Sequence, residues 1–310
     1  MPPHGKAAAP LEPPPSEDGS GERSSELRAT SAWDEHRDVV ASGIRLRVAS
    51  GGSGPPVVLI HGSFVDHSTW NGVALALARD FRVVAPDLPG FGESEKPSPG
   101  RFAYDIESFA EAIADLYAGL DFGRAAVVGH ALGGAVALTL AAHHPELVER
   151  LVLVAPLCQP ANLDLRSRIG LWPVVGGFVF KQLWGRVSFR AFFRSTMLSA
   201  GARLPVERID RYFELFSSPL ARGAALATLR ATVDTRAIAA RTSRLTTPAL
   251  VVWGSDDRLI PARTGQRFAR EISGAGFELL DAGHAVQEER PGELASTIVR
   301  FLREERPARL

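Results

Sequence analysis

A chain of 310 residues, 45% of them hydrophobic, has enough apolar material for a large core and suits one α/β domain carrying an insertion. Its 35 basic and 35 acidic residues cancel, which removes the net field that draws a protein to nucleic acid or acidic membranes. One cysteine, Cys158, excludes an intrachain disulfide and fits a reducing, cytoplasmic setting; no run of about 18 apolar residues suggests a membrane span, and no apolar signal-peptide core is visible.

Residues 1–30 are rich in Pro, Ser, Gly, Glu and Ala, and read as a disordered tail with too little apolar surface to fold. Val39 to Ala49 reads as a hairpin turning at Ser42-Gly43. After a Gly/Pro loop, Val57-Val58-Leu59-Ile60 is apolar on both faces, as a central parallel strand should be. Phe81 to Pro86 is a further strand, ending at Asp87-Leu88-Pro89-Gly90. Residues 104–120 place Ile106, Phe109, Ala110, Ile113, Leu116, Tyr117 and Leu120 at helical spacing. Strands follow at 125–128 and 151–154, with a helix between them. From 157 to 245 no strand pattern appears, and the segment is rich in Phe, Trp, Arg and Leu. Strands resume at 249–253 and 277–280, with a helix at 262–272 and a last helix opening at Pro291. Alternating strands and helices imply a doubly wound, mostly parallel sheet. The expected division is a core of 31–156 and 246–310 with a helical cap, 157–245, inserted after one strand.

In such sheets ligands sit at the carboxyl ends of the strands, and four pieces fall there. His61-Gly62-Ser63-Phe64 follows one strand, and a backbone amide of Ser63 or Phe64 could face the site. Gly129-His130-Ala131-Leu132-Gly133 has the strand–turn–helix pattern Gly-x-Ser-x-Gly of a nucleophile elbow, with alanine where the serine belongs. The amide of Leu132 then lies at a helix N-terminus, and two such donors make an oxyanion hole. Trp253 to Pro261 contains Asp256 and Asp257, of which the second is better placed past the strand; Asp256 reads as a loop cap. His284, in Asp281-Ala282-Gly283-His284, completes the order Ser-position, Asp, His.

These runs resemble the α/β-hydrolase fold superfamily, in its esterase, lipase and carbon–carbon-bond hydrolase branch. The matching pieces are His61-Gly62 with Trp70 nine residues on, Asp87 to Ser94, the elbow, Trp253 to Pro261, and Gly283-His284. The resemblance covers about 38–304 and implies Asp257 as the triad acid, His284 as the base, and Ser63 and Leu132 as the oxyanion donors, with Ala131 at the nucleophile position. Fold does not name the substrate.

A methyl group cannot attack a carbonyl, and in a serine hydrolase that loss is worth on the order of a million-fold. Three readings follow. The first is a serine hydrolase inactivated by Ser→Ala. The second is a serine-independent enzyme, a lyase, cyclase or water-activating hydrolase, with His284 and Asp257 as general base; some pyrimidine-catabolic members resemble this chain in their Gly-His-Ala-Leu-Gly elbow. The third is a pocket that only binds. An intact acid–base pair favours the first two, because a binding module needs none. Ser63 and Cys158 are the nearest substitutes for the hydroxyl, and Cys158 reads as a buried, inert thiol.

The aromatic content of 157–245 suggests an apolar lid over a small apolar or aromatic substrate, with Phe64, His130, Trp172 and Phe178 expected to touch it. No metal site or cofactor is expected. His143-His144 are adjacent and so do not face one ligand, and Gly129 to Gly134 lacks the ending of a phosphate loop.

Overall fold

Eight strands form one sheet in the computed structural model, which describes residues 32–120, 122–158 and 185–304. In chain order they are β1 (Glu35–Ala41), β2 (Ile44–Gly51), β3 (Pro56–Ile60), β4 (Arg82–Pro86), β5 (Ala125–His130), β6 (Val148–Val154), β7 (Ala249–Gly254) and β8 (Gly276–Leu280). The sheet order is β1-β2-β4-β3-β5-β6-β7-β8. The β1–β2 and β2–β4 pairs are antiparallel and all others are parallel. Ser42 and Gly43 link β1 to β2 with φ of 51° and 70°, the two positive values that a two-residue hairpin turn requires.

Helices cover both faces. Between β3 and β4 lie a 3₁₀ turn (His67–Trp70) and α1 (Asn71–Leu77). Next come α2 (Ile106–Ala118), capped by the Asp105 carboxylate on the Ser108 amide, and α3 (Leu132–His143). Between β6 and β7 the described residues form α4 (Arg186–Phe192), a π turn (Phe193–Met197), α5 (Val206–Phe216), α6 (Pro219–Ala231) and α7 (Arg236–Thr242). The remainder are α8 (Ala262–Glu271), a short α9 (Val286–Glu289) and α10 (Pro291–Arg303).

Strand alternation sorts the core into two layers. Val58, Ile60, Val127, Leu151, Leu153, Val251 and Trp253 join α2, α3 and the Phe-rich β6–β7 segment on one face. Val57, Leu59, Val128, Val152, Val154 and Val252 meet Trp70, α1 and α10 on the other. This is why the central strands are apolar at every position.

The chain passes from β3 outward to β4, then returns to β5 on the opposite side of β3. The carboxyl ends of β3 and β5 therefore flank the point where strand order reverses, the place where such sheets bind ligands. Among the described residues no helix is long and apolar enough to cross a membrane. The expected 1–30 tail, and Trp172 and Phe178, lie outside the described residues.

Candidate active site

β5 ends at His130, and α3 begins at Leu132, so Ala131 makes the entire turn. Its backbone sits at φ 49° and ψ −112°, a conformation that costs a non-glycine residue on the order of 1–3 kcal/mol. Its amide donates to the Val154 carbonyl at 3.1 Å, and its carbonyl accepts from Gly134, Ala135 and Leu157. The turn closes only because its glycines lack side chains. A Cβ on Gly129 would collide with the Gly133 carbonyl, and one on Gly133 with the Ile60 and His61 carbonyls. Ala131 is partly exposed among buried neighbours, as are Ser63 and Phe64. A Cβ on Gly62 would lie 3.2 Å from the Ala131 methyl, so the loop after β3 runs directly beside the elbow. The Leu132 amide is in the first turn of α3, where no intrahelical acceptor exists.

Asp257 and His284 come from the loops after β7 and β8 and are both buried. His284 Nδ1 donates to Asp257 Oδ2 at 2.8 Å. The other carboxylate oxygen accepts the amides of Leu259 and Ile260, at 2.9 and 2.8 Å, which fixes the carboxylate plane. Among the described residues nothing hydrogen-bonds His284 Nε2. Asp256 does not cap its own loop, as the sequence suggested. Its Oδ2 accepts the Ala200 amide at 2.6 Å and pairs with Arg258, fastening the β6–β7 segment to the Asp257 loop.

His130, expected from the sequence to touch substrate, is the last residue of β5, beside the elbow. Its ring is buried, and both nitrogens are engaged. Nε2 donates to the His284 carbonyl at 3.0 Å, and Nδ1 accepts from Gln287 Nε2, which also donates to Thr69. Burial, then the adjacent His284, hold its pKa well below the ordinary value, so the ring is neutral. It braces the backbone of His284. Alternation along β5 carries the signal, since His130 falls on the same strand face as Ala126 and Val128.

Phe64 has φ 67° and stacks edge-on against Phe216 and Phe192, at 5.4 and 6.4 Å between ring centres. It joins the loop after β3 to the aromatic face of α4 and α5. His61 Nε2 accepts the Leu88 amide at 2.9 Å, which leaves Nδ1–H to donate to the Gly62 carbonyl. This braces the same loop from below. Burial lowers the His61 pKa despite nearby Asp87.

Cys158 is buried, and burial, followed by Glu271, pushes its thiol up to about 12. A thiol raised that far is almost wholly protonated at neutral pH.

Asp66, His67 and Asp87 are the one group among the described residues with the donors for a metal. Their ligand atoms already have partners. Asp66 accepts from Ser68 and pairs with Arg211 at 3.1 Å; Asp87 accepts His67 Nδ1–H at 2.8 Å and the Glu93 amide at 2.7 Å. Burial opposes charge on His67, but the bond to Asp87 and the charges of Asp87 and Asp66 outweigh it and raise its pKa. The group is a satisfied ion-pair network, with Arg211 supplying positive charge.

Comparison with known proteins agrees with this fold. The family model for the alpha/beta hydrolase fold matches residues 55–291. The chain is 31% identical to a 2-hydroxymuconate semialdehyde hydrolase of Pseudomonas sp. (strain CF600), covering 86% of this chain and 94% of that one. It is 28% identical to a soluble epoxide hydrolase of Corynebacterium sp. (strain C12), covering 86% and 96%. The crystal structure of an enol-lactonase from Burkholderia xenovorans LB400 superposes with a TM-score of 0.72 at 25% identity, covering 86% of this chain and all of that one, 100%.

Proposed function

The chain belongs to the alpha/beta hydrolase fold family, and from that premise we propose that it hydrolyses a carbonyl bond, an ester or lactone, of a small apolar molecule, with His284 as general base on water. The observation that carries this reading is the Asp257–His284 couple, hydrogen-bonded at 2.8 Å although the neighbouring elbow offers only a methyl group. A buried carboxylate on Nδ1 holds the imidazole in the tautomer whose Nε2 accepts a proton.

The chemistry balances without a covalent enzyme intermediate. Water attacks the carbonyl carbon as His284 Nε2 takes its proton, and Asp257 stabilises the imidazolium. The amides of Ser63 and Leu132 receive the oxyanion. Collapse expels the leaving oxygen, which takes the proton back from His284. The β6–β7 segment acts as a cap. Its Phe192 and Phe216, meeting Phe64, supply an aromatic wall that suits an apolar substrate.

A second reading, a serine hydrolase silenced at residue 131, has its own support. The elbow keeps a strained backbone at a position that bears no nucleophile.

A panel of aromatic and aliphatic esters and lactones separates the two. The Ala131 protein should turn over an apolar member without a burst. Asp257→Asn should lose on the order of 10³–10⁴-fold, and His284→Ala should abolish turnover. If only Ala131→Ser shows turnover, a burst and fluorophosphonate labelling, the second reading holds. Turnover in the Ala131 protein that survives His284→Ala would overturn the first reading, and silence in every form would leave a binding protein.

A further inference from the structure

The loop that carries His284 has little regular structure of its own. After His284 it makes only the four-residue α9, far below the length at which a helix holds itself. Its position is set by what grips it, and much of that grip comes from the cap. The Ala285 amide donates to the Met197 carbonyl at 2.8 Å. Glu289 accepts the Gly283 amide at 2.9 Å and also the amide and hydroxyl of Ser199, closing the loop and docking it in one step. A side chain on Gly283 would collide with the backbone of Leu198 and Ser199, so the approach is as close as two chains allow.

The strongest contact is on α5. Arg208 reaches Glu288 with Nε at 2.7 Å and Nη2 at 3.0 Å, a two-toothed ion pair whose carboxylate side chain is only 4% exposed. Tyr212, one turn further along the same helix face, donates its hydroxyl to the same carboxylate. Arg208 Nη2 also donates to the Ser68 carbonyl at 2.5 Å, and Arg211 pairs with Asp66. Ser68 and Asp66 lie just past the loop that carries Ser63 and Phe64. One face of α5 thus binds both walls of the site, the loop of the base and the loop of the oxyanion donor. Asp66, Asp256, Glu288 and Glu289 are carboxylates of the core, and each also meets a group of the cap.

We infer that Arg208 is a positioning residue for His284: docking of the cap on Glu288 sets the loop that holds the base, so the site is competent only while α5 is seated. This rests on the reading of His284 as the base. Arg208 touches neither substrate nor reacting atoms. It acts by fixing Glu288, which lies one turn of α9 beyond His284.

The test is amide hydrogen exchange on the ligand-free protein, followed by mass spectrometry, together with steady-state kinetics on an ester that the protein turns over. Arg208→Met keeps most of the aliphatic stem and removes the fork. It should speed exchange across 283–290 while leaving β3, β5 and β6 protected. It should also lower kcat by about tenfold to a hundredfold, the usual cost of a base displaced by an ångström or less, with KM within about twofold. Arg208→Lys, which restores the charge and one contact, should recover part of both. Unchanged exchange at 283–290 overturns the inference, whatever the kinetics. Where Arg208→Met loosens the whole chain, Glu288→Gln takes its place, and a uniform rise there also overturns it. Exchange is measured without substrate, so the two ideas fail separately. Turnover that survives His284→Ala removes the proposed reaction, and exchange alone decides the latch.

Discussion

At residue 131 the hydrogen bonds that hold the turn are made by the backbone, so they do not depend on whether the side chain is a methyl or a hydroxymethyl group. The strain at φ 49° belongs to the turn, imposed by the Val154 and Leu157 hydrogen bonds and by the packing of Gly129 on Gly133. What remains able to react is therefore a matter of the other side chains nearby. Cys158 is the obvious thiol, and its environment silences it. With its pKa pushed up to about 12, its thiolate fraction at pH 8 is on the order of one in 10⁴. Iodoacetamide at pH 8 should leave the folded protein unlabelled over a period that fully labels it in urea, as read by intact mass. Rapid labelling of the folded chain would show that Cys158 is a live nucleophile, and the water-based reaction would need rethinking.

The β5–α3 junction shows how an element is specified by what it lacks. Gly129→Ala would drive a methyl into the Gly133 carbonyl, backbone against backbone with no flexible side chain to yield. The expected loss is at least about 3 kcal/mol in urea unfolding, in the range of strong overpacking; a loss under about 1 kcal/mol would mean the elbow relaxes more freely than its packing implies. Such elements are legible in the chain because local chemistry and burial agree. The central strands are apolar at every position because both sheet faces are covered, Ser42-Gly43 suits a primed turn, and Asp105 precedes an amphipathic run. The elements that escape are those made by tertiary contact. Helix α1 has no side-chain cap and only seven residues, and α9 has four. The site divides in the same way. Ala131, Asp257 and His284 follow β5, β7 and β8, and the sequence marks them by the Gly-rich elbow and by the order Asp, then His. The groups that hold them carry no such mark, because His130 meets the His284 carbonyl across 154 positions and Arg208 meets Glu288 across 80. No local pattern encodes such pairings. The bonds of His130 are hidden for the same reason, since the His284 carbonyl and Gln287 lie far along the chain.

At the scale of the whole fold, three buried histidines, His61, His67 and His130, couple stability to pH, and they act in opposite senses. His61 and His130 are neutral in the fold, lowered from the ordinary 6.5 first by burial. Their contribution is complete above pH 6.5. It is lost as the pH falls below that value, because the unfolded chain binds protons that the fold refuses. Each can cost up to about 1.4 kcal/mol per pH unit. His67 runs the other way. Burial works against its charge, but Asp87 wins and raises it, so its contribution is complete below pH 6.5 and is lost as the pH climbs through its folded value. Asp87 is lowered, burial notwithstanding, by its bond to His67, and loses its contribution only at still lower pH. Stability should therefore peak close to pH 6.5. It should fall on the acid side with a slope of up to about 2.7 kcal/mol per unit, twice the single-group limit, and on the alkaline side with about half that slope. Urea unfolding at half-unit steps from pH 5 to 8 measures both limbs. His130→Asn, which keeps an amide where the ring donates to His284, should halve the acid slope and leave the alkaline limb in place. An acid limb unchanged in that variant would mean that His130 is protonated in the fold, and the hydrogen bond it gives the His284 carbonyl would then belong to a charged ring.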